Sequence, residues 1–580
     1  ERLDDRSRLA VWHEAYERHY RARLLDALQA QAKRRPSEPQ AQPRFLLFTC
    51  IDDRNESIRR HFEEIAREHA TYGVAGFFNL AIAYQGIDDP STFPLCPVVL
   101  TPQHKVAEEP LSAEAPRAEA RRKRLQSLTH ASVGLEKASR SLLWGVIVTA
   151  FAGLVAALPM LAAVFMPWIA GRVRKKVASW VVPAPKTRLH GARSQVDESA
   201  SIAVGFTTEE KVERVASLLE NVGLTAGFAR VIALLGHDSS SANNPHVAAY
   251  SCGACGGRSG GPNARLFAQM ANRPEVRLAL KSRGIVVPDG TWFVGGEHDT
   301  AADTIRLFDL EEAPIDLVPE LEVLQAMLDQ ALARNAHERC RKFASASSSL
   351  SLDAARRHVE ARSYDLSQAR PELGHATNAS CIVGRRSSSR GLFLDRRAFL
   401  VSYDPRSDED GQVLERILLA VVPVCAGINL EYFFSSTDNP KLGAGTKLPH
   451  NVTGLFGVMN GASSDLRTGL PLQMVEVHEP LRLVLVVEAA PAVIRAVVER
   501  QPSLKQLFDN AWVHLAALHP DSGEVSTFSA ARGFEPWTSP PSRLPEVDRS
   551  VDWYRGHDGI LSPAFVAPDK ALLEEVGRGV

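Results

Sequence analysis

Net charge is nearly absent from the chain as a whole. Lys and Arg number 67 against 68 Asp and Glu, a formal net charge of -1. That balance removes the global electrostatic case for nucleic acid as a partner, and no stretch interleaves basic with aromatic residues to supply a local one. Cysteine is scarce as well: seven among 580 residues, an odd number and scattered. With no signal-peptide pattern at the start, that usage argues for a reducing compartment, by default the cytoplasm. The first residue is Glu1 rather than Met, which leaves a targeting signal ahead of it open. What is abundant is ordinary: 45% apolar and 23% charged residues describe a folded chain long enough for two or more domains, each with its own core.

A local absence is more telling. From Ser141 to Gly171 there is no charged residue and no histidine, a run longer than the ~20 residues that cross a bilayer. Pro159 is expected to divide the run into two helical pieces. Basic clusters flank it, Arg121 to Arg124 and Arg140 before, Arg172, Arg174, Lys175 and Lys176 after. Both ends therefore favour the cytoplasmic side, and an apolar hairpin that docks on a membrane or a membrane partner fits better than one crossing.

Elsewhere apolar strands alternate with helices. Residues 8–31 read as an amphipathic helix, 44–50 as the first strand and 55–70 as a second helix. Val98 to Leu100 reads as a short strand. Arg230 to Leu235 is a strand ending in Gly236-His237, and Thr291 to Val294 one ending in Glu297-His298-Asp299. Polar residues at the carboxyl ends of buried strands predict an α/β sheet with its chemistry along one edge.

The two halves echo one another. Phe48 to Arg54 aligns with Leu400 to Arg406, keeping Asp-x-Arg while Ser402 replaces the thiol. Val74 to Phe78 aligns with Val452 to Phe456, Phe93 to Leu95 with Leu470 to Leu472, and Trp292 with Trp512. Two copies of one α/β unit are expected, of which only the first retains a metal site. The boundaries read as an N-terminal helical segment 1–43, a first unit 44–335 carrying the apolar insertion 141–171, and a degenerate second unit 336–580.

The chemistry gathers at Cys50-Ile51-Asp52-Asp53-Arg54. Alternate residues of a strand share a face, so Cys50 and Asp52 are expected to converge while Arg54 grips Asp52 in a two-pronged charged hydrogen bond. Zinc takes four N, S or O ligands. His237 offers a third, and Cys252 or Cys255, in the glycine-rich segment Tyr250 to Gly257, offers the fourth.

This constellation resembles the β-carbonic anhydrases, in which Cys-x-Asp-x-Arg after the first strand joins a later His and Cys around zinc. The wider context is similar to the DabA family, a subunit of a two-component inorganic-carbon transporter. The matching segments are Cys50 to Ser57, Gly236 to Ser240, Tyr250 to Gly257 and His450 to Leu455. The resemblance implies Zn2+ on Cys50, Asp52, His237 and Cys252, with Arg54 orienting Asp52. It implies two tandem β-carbonic-anhydrase-like units and reversible CO2 hydration, giving bicarbonate. In that reading Asp52 on the metal closes the site, and Arg54 draws it away to admit water. A DabB-like ion-translocating membrane subunit is the implied partner, and the cytoplasmic face of a bacterial inner membrane the implied location, peripheral. The fourteen residues between His237 and Cys252 depart from the short spacing of the β-carbonic anhydrases.

Three competing readings remain: a free-standing carbonic anhydrase, a binding module with a structural zinc, and a thiol enzyme using Cys252 and Cys255. Glu297, His298 and Asp299 suit either support of the site or a surface loop. Ser402, Asp404 and Arg406 suit a vestigial half, and Cys96, Cys340, Cys381 and Cys425 suit packing.

Overall fold

The computed structural model describes residues 4–34, 42–142, 144–193, 202–242, 246–368, 370–447, 450–452, 458–460, 465–539 and 543–567. The chain begins with α1 (Asp5–Lys33), whose N-terminus is capped by the Asp4 side chain. Leu24, Leu25 and Leu28 of α1 pack into a core with Ile382, Leu400 and Val486, so this helix covers the second half rather than the first. Glu17 fixes it there by accepting from the backbone N and Nε of Arg482, at 2.8 and 3.0 Å.

Every residue of β1 (Phe45–Cys50) is buried, as a parallel strand covered on both faces requires. Helix α2 (Arg54–Ile65) follows it directly and is buried nearly throughout. It ends before Ala70, which opens β2 (Ala70–Val74); the expected helix over 55–70 is therefore too long. With β3 (Val231–Asp238), β4 (Trp292–Asp299) and β5 (Thr304–Leu307), these strands form a sheet of order β5-β4-β3-β1-β2. All neighbours are parallel except β4 and β5.

The second half repeats that arrangement. Its strands are β6 (Ser380–Gly384), β7 (Ala398–Ser402), β8 (Val484–Glu488), β9 (His514–Leu518), β10 (Val525–Ser529) and β11 (Gly533–Pro536), in the order β7-β6-β8-β9-β10-β11. Here too the strands are parallel up to β9, and β10 is antiparallel. Thus β6 holds the position of β1, β7 that of β2, and β9, which follows Trp512, that of β4.

The sequence alignment of Phe48 to Arg54 with Leu400 to Arg406 is corrected by this order, because β7 is the edge strand and matches β2. Phe93 to Leu95 is itself a strand, whereas Leu472–Val475 is a helical turn, so that pairing also fails. Val98 to Leu100 is a turn. The match at Val452 to Phe456 falls largely outside the described residues.

The two sheets meet edge to edge at β2 and β7. Leu400 N donates to Ile51 O at 3.0 Å, Gly73 N to Ser402 Oγ at 3.0 Å, and Arg59 Nη1 to Leu400 O at 3.0 Å.

Three helices leave this body together: α3 (Ala115–Ser139), α4 (Trp144–Phe165) and α5 (Pro167–Val181). Contrary to expectation, α4 runs through Pro159. The break falls at Met166, whose φ of -139° and ψ of 59° put the residue before Pro167 outside the helical region. Helix α5 then seats Gly171 against the ring of Tyr364 in α7 (Leu352–Tyr364), which follows α6 (Val318–Cys340). Two helices among the described residues are long and apolar enough to cross a membrane, α4 and α8 (Gln412–Thr437); the apolar window of α8 is partly buried, that of α4 not at all.

Candidate metal site at the carboxyl edge of the first sheet

β1 stops at Cys50, and the chain turns through Ile51, Asp52 and Asp53 into α2. The strand-like alternation expected for Cys50, Asp52 and Arg54 is therefore replaced by a strand-to-helix turn. Asp52 serves as its fulcrum. Its Oδ1 accepts from both the backbone N and Nε of Arg54 at 2.9 Å, and its Oδ2 from Nη2 at 2.8 Å. A carboxylate at the start of a helix also suits the positive end of its dipole.

β3 delivers His237 beside this turn. Its Nε2 lies 2.9 Å from Arg54 Nη2 and 3.3 Å from Asp52 Oδ2, while its Nδ1 is buried without a hydrogen-bond partner. Cys252 arrives from a turn closed by Cys255 N and Gly257 N, both donating to Cys252 O at 3.0 Å. Gly256 and Gly257 carry φ of 67° and 72°, which only glycine adopts without strain. The Sγ of Cys50, a ring nitrogen of His237 and the Sγ of Cys252 all lie within 4.8 Å of one another, and all three residues are buried. Gly76 closes over the thiols: a Cβ there would sit 2.7 Å from Cys252 Sγ and 3.0 Å from Cys50 Sγ.

Of the four expected ligands, three are thus together and the fourth, Asp52, is held by Arg54. Asp52 instead groups with Asp53 and His375. Cys255 is buried next to Cys252, whose thiol hydrogen-bonds to it, but the close group contains Cys252.

The electrostatics suit a cation. The Cys50 thiol is pushed well up by its hydrogen bond with Cys252 and by burial, and that of Cys252 by its hydrogen bond with Cys255 and by burial. Without a positive charge between them both stay protonated. Burial works against the Asp52 carboxylate, yet the charges of Arg54, His375 and His237 hold it well below the usual range. A pair of thiols and an imidazole with one unpartnered ring nitrogen is a donor set that fits zinc.

The second half contributes residues that sequence reasoning missed. Glu372 accepts from Arg54 Nη1 at 2.8 Å and from Ser239 Oγ at 2.7 Å. His375 Nδ1 is 2.6 Å from Asp53 Oδ1 and 3.6 Å from Asp52 Oδ1. Against the penalty of burial, these two carboxylates raise its pKa. Glu372 and His375 both lie in the irregular segment ahead of β6. Gly374, with φ of 55° packed against Tyr250 and Tyr432, is the one local signal of a tight, buried turn.

Other expected site residues are occupied elsewhere. Glu297 accepts from Ser259, Asp299 from Ser240, and His298 Nε2 lies 2.9 Å from Asp303. Asp404 and Arg406 repeat the fork of Asp52 and Arg54, with contacts of 3.1, 2.9 and 2.6 Å, but Arg406 is exposed and Ser402 bonds to Gly73. A cavity of about 300 Å³, lined in part by Tyr84, Phe93, Leu95 and Val247, reaches Ser251 and Gly257 beside Cys252.

Comparison with known proteins bears on this geometry. A family model described as "Probable inorganic carbon transporter subunit DabA" matches residues 1–513. A probable inorganic carbon transporter subunit DabA 1 of Sorangium cellulosum is 50% identical over 578 residues, covering 99% of this chain and 56% of that protein. The subunit of Dechloromonas aromatica is 47% identical, covering 96% and 55%, and that of Azotobacter vinelandii 41%, covering 92% and 61%. The chain thus spans about half the length of these curated relatives. No solved structure matches. With half of all positions shared along nearly its whole length, the chain belongs to the DabA family of probable inorganic carbon transporter subunits.

Proposed function

We propose that the chain serves an energy-coupled inorganic-carbon uptake system by converting CO2 to bicarbonate at a zinc site gated by Asp52 and Arg54. The observation that carries this reading is the meeting of Cys50, His237 and Cys252 from three separate segments, directly beside the fork of Arg54 on Asp52. Cys50, His237 and Cys252 would hold the ion, with Asp52 as the fourth ligand of a closed state. Bound there, zinc supplies Lewis-acid activation of water near neutral pH.

The chain's own residues do the rest. Arg54 keeps Asp52 off the ligand group, which leaves a coordination position for water. Glu372 and the carbonyl of Tyr250 hold the guanidinium from the other side. His375, facing both Asp52 and Asp53, sets a positive charge beside them that favours their ionised forms. The cavity beside Ser251 and Gly257 is wide enough for CO2, with Tyr84, Phe93, Leu95 and Val247 on its apolar side and Asp238 and Arg258 also in its lining.

The shared strand order of the two sheets supports the reading of tandem β-carbonic-anhydrase-like units, 44–335 and 336–580, the second without ligands. A DabB-like, ion-translocating membrane subunit is the proposed partner, and the cytoplasmic face of the inner membrane the proposed location. Energisation of that partner would bias the gate and drive hydration one way.

Zinc analysis of the purified chain, with CO2 hydration measured alone and with the membrane partner, tests the proposal. Expected are about one zinc per chain and hydration that depends on the partner. A chain that neither contains nor takes up zinc overturns it, and full hydration by the chain alone favours a free-standing carbonic anhydrase instead.

A further inference from the structure

We infer that α4 and α5 form an anchor embedded in one leaflet of an anionic phospholipid bilayer, α4 among the acyl chains and α5 at the headgroups. The inference goes beyond the zinc reading and stands without it.

The outward side of α4 carries the large apolar residues. Val146, Ile147, Phe151, Leu154, Leu158 and Phe165 are each more than half exposed. The inward side is small: Gly145 is buried, and Val148, Ala152 and Ala163 are half-buried. Trp144, Val155, Met160, Leu161 and Val164 are also more than half exposed, and at 100° per residue the full set, from Met160 round to Val155, sweeps more than half the circumference. A helix seated in a protein groove shows a narrower stripe, read as i, i+3, i+4 and i+7 anchors. A surface this wide matches a medium that surrounds it.

Helix α5 has the composition of an interfacial helix. Ile169, Val173, Val177 and Trp180 make one exposed apolar stripe, with Trp180 79% exposed, and Arg172, Arg174, Lys175 and Lys176 flank it. Amphipathic helices with basic flanks and an aromatic residue lie at the headgroup level. Between Glu136 and Asp197 the sequence holds no acidic residue at all, while Lys137, Arg140 and the four basic residues of α5 fall inside that interval. In a chain of net charge -1 this is a local excess of one sign, complementary to anionic lipid.

The attachment of the helices excludes a crossing. Arg124 near the start of α3 donates to Val181 O at the end of α5 at 2.9 Å, and Trp168 and Arg172 bond to Glu360 of α7. Both ends of the excursion therefore return to the same face of the body. A spanning α4 would drag Glu136, Lys137 and Arg140, at the joint between α3 and α4, through the hydrocarbon.

Flotation of the whole chain with vesicles of phosphatidylcholine containing roughly a quarter phosphatidylglycerol, against phosphatidylcholine alone, tests the anchor. The chain is expected to float with the anionic vesicles and to be released in part by salt. Leu154→Asp with Leu158→Asp should abolish flotation, and Arg174→Glu with Lys176→Glu should weaken it ~10-fold or more. Zinc content and circular dichroism should be unchanged in both, since these side chains face solvent. A chain that remains in the soluble fraction with both vesicle types overturns the inference. So does flotation only with vesicles carrying the ion-translocating partner, which would assign α4 to a protein groove. Equal binding to neutral vesicles would overturn the role given to the basic residues. None of these outcomes touches the zinc measurement, so the two proposals fail separately.

Discussion

Arg54 Nη1 lies 2.8 Å from Glu372 Oε1, which ties the Asp52–Arg54 fork of the first half to a loop of the second. Two carboxylates, Asp52 and Glu372, thus share one buried guanidinium. Neutralising Glu372 leaves Arg54 wholly to Asp52. The substitution Glu372→Gln is expected to bias the site open and raise basal CO2 hydration of the isolated chain by up to ~10-fold, the scale of one charge-assisted hydrogen bond. Energy-coupled uptake should fall in the same variant. A hydration rate no higher than that of the parent chain would show that Glu372 does not compete for Arg54.

The ligand group makes a sharper distinction among cysteines. Cys50→Ser, His237→Ala and Cys252→Ser should each lower zinc affinity by two orders of magnitude or more, because serine is a poor zinc ligand beside a thiolate and alanine offers none. Cys255→Ser should retain about one zinc per chain. Elemental analysis after dialysis against a weak chelator reads the difference. Full loss in the Cys255 variant would move the ligand role by three residues.

The contact between the sheets is equally exposed to test. A Cβ on Gly73 would lie 1.8 Å from the carbonyl oxygen of Leu400 and 2.6 Å from Arg59 Nη1. Backbone cannot yield there without breaking the edge pairing. Gly73→Ala is expected to destabilise the chain by ~2–4 kcal/mol, visible as a lowered Tm, and to loosen zinc through displacement of Ile51 next to Cys50. A variant as stable as the parent would mean that the two edges separate in solution.

A pH dependence follows from Asp303. Its buried carboxylate receives Asn335 and Arg339 and faces His298. Burial alone would raise its pKa, but Arg339 and His298 lower it from 3.8 to about 2. A depressed folded-state value contributes stability above the unfolded pKa and loses it as pH falls through the folded one. Asp303→Asn should therefore cost ~2 kcal/mol near neutral pH, with the gap from the parent closing between about pH 4 and pH 2. Denaturant unfolding across that range measures it, and a gap independent of pH would assign the loss to packing alone.

Much of the site was legible because its parts are unusual residues in unmistakable places. Cys50 ends a wholly buried strand, His237 lies at the tip of another, and Cys252 opens a glycine turn, so residue type and strand position pointed to the three side chains that lie together. The repeat was legible as an idea but not in register. Asp404 and Arg406 do rebuild the fork of Asp52 and Arg54, since the same local cap forms wherever Asp-x-Arg opens a helical turn, yet they follow the edge strand β7 and not β6. Glu372 and His375 were invisible for a different reason. They act across the contact of the two halves, and no periodicity within one segment encodes which loop of the other it will face. Pro159 misled because proline usually interrupts a helix, while the turn that mattered was set by Met166 ahead of Pro167.

Gly171 links the apolar helices to the site. Its Cβ position falls 2.2 Å from the Tyr364 ring, and the neighbouring Ser363 O accepts from Ala242 N at 2.7 Å, on the segment that runs from His237 through Ser239 to Ala242. Ser239 in turn donates to Glu372, the carboxylate on Arg54. Packed and hydrogen-bonded neighbours thus connect α5 to Arg54, the kind of contiguous path along which distant elements can couple. Gly171→Val wedges α5 away from α7 without altering any ligand or any lipid-facing side chain. It is expected to retain zinc and vesicle binding while energy-coupled uptake falls ~10-fold or more. Uptake at the level of the parent chain would show that α5 is an anchor alone and carries no signal to Arg54.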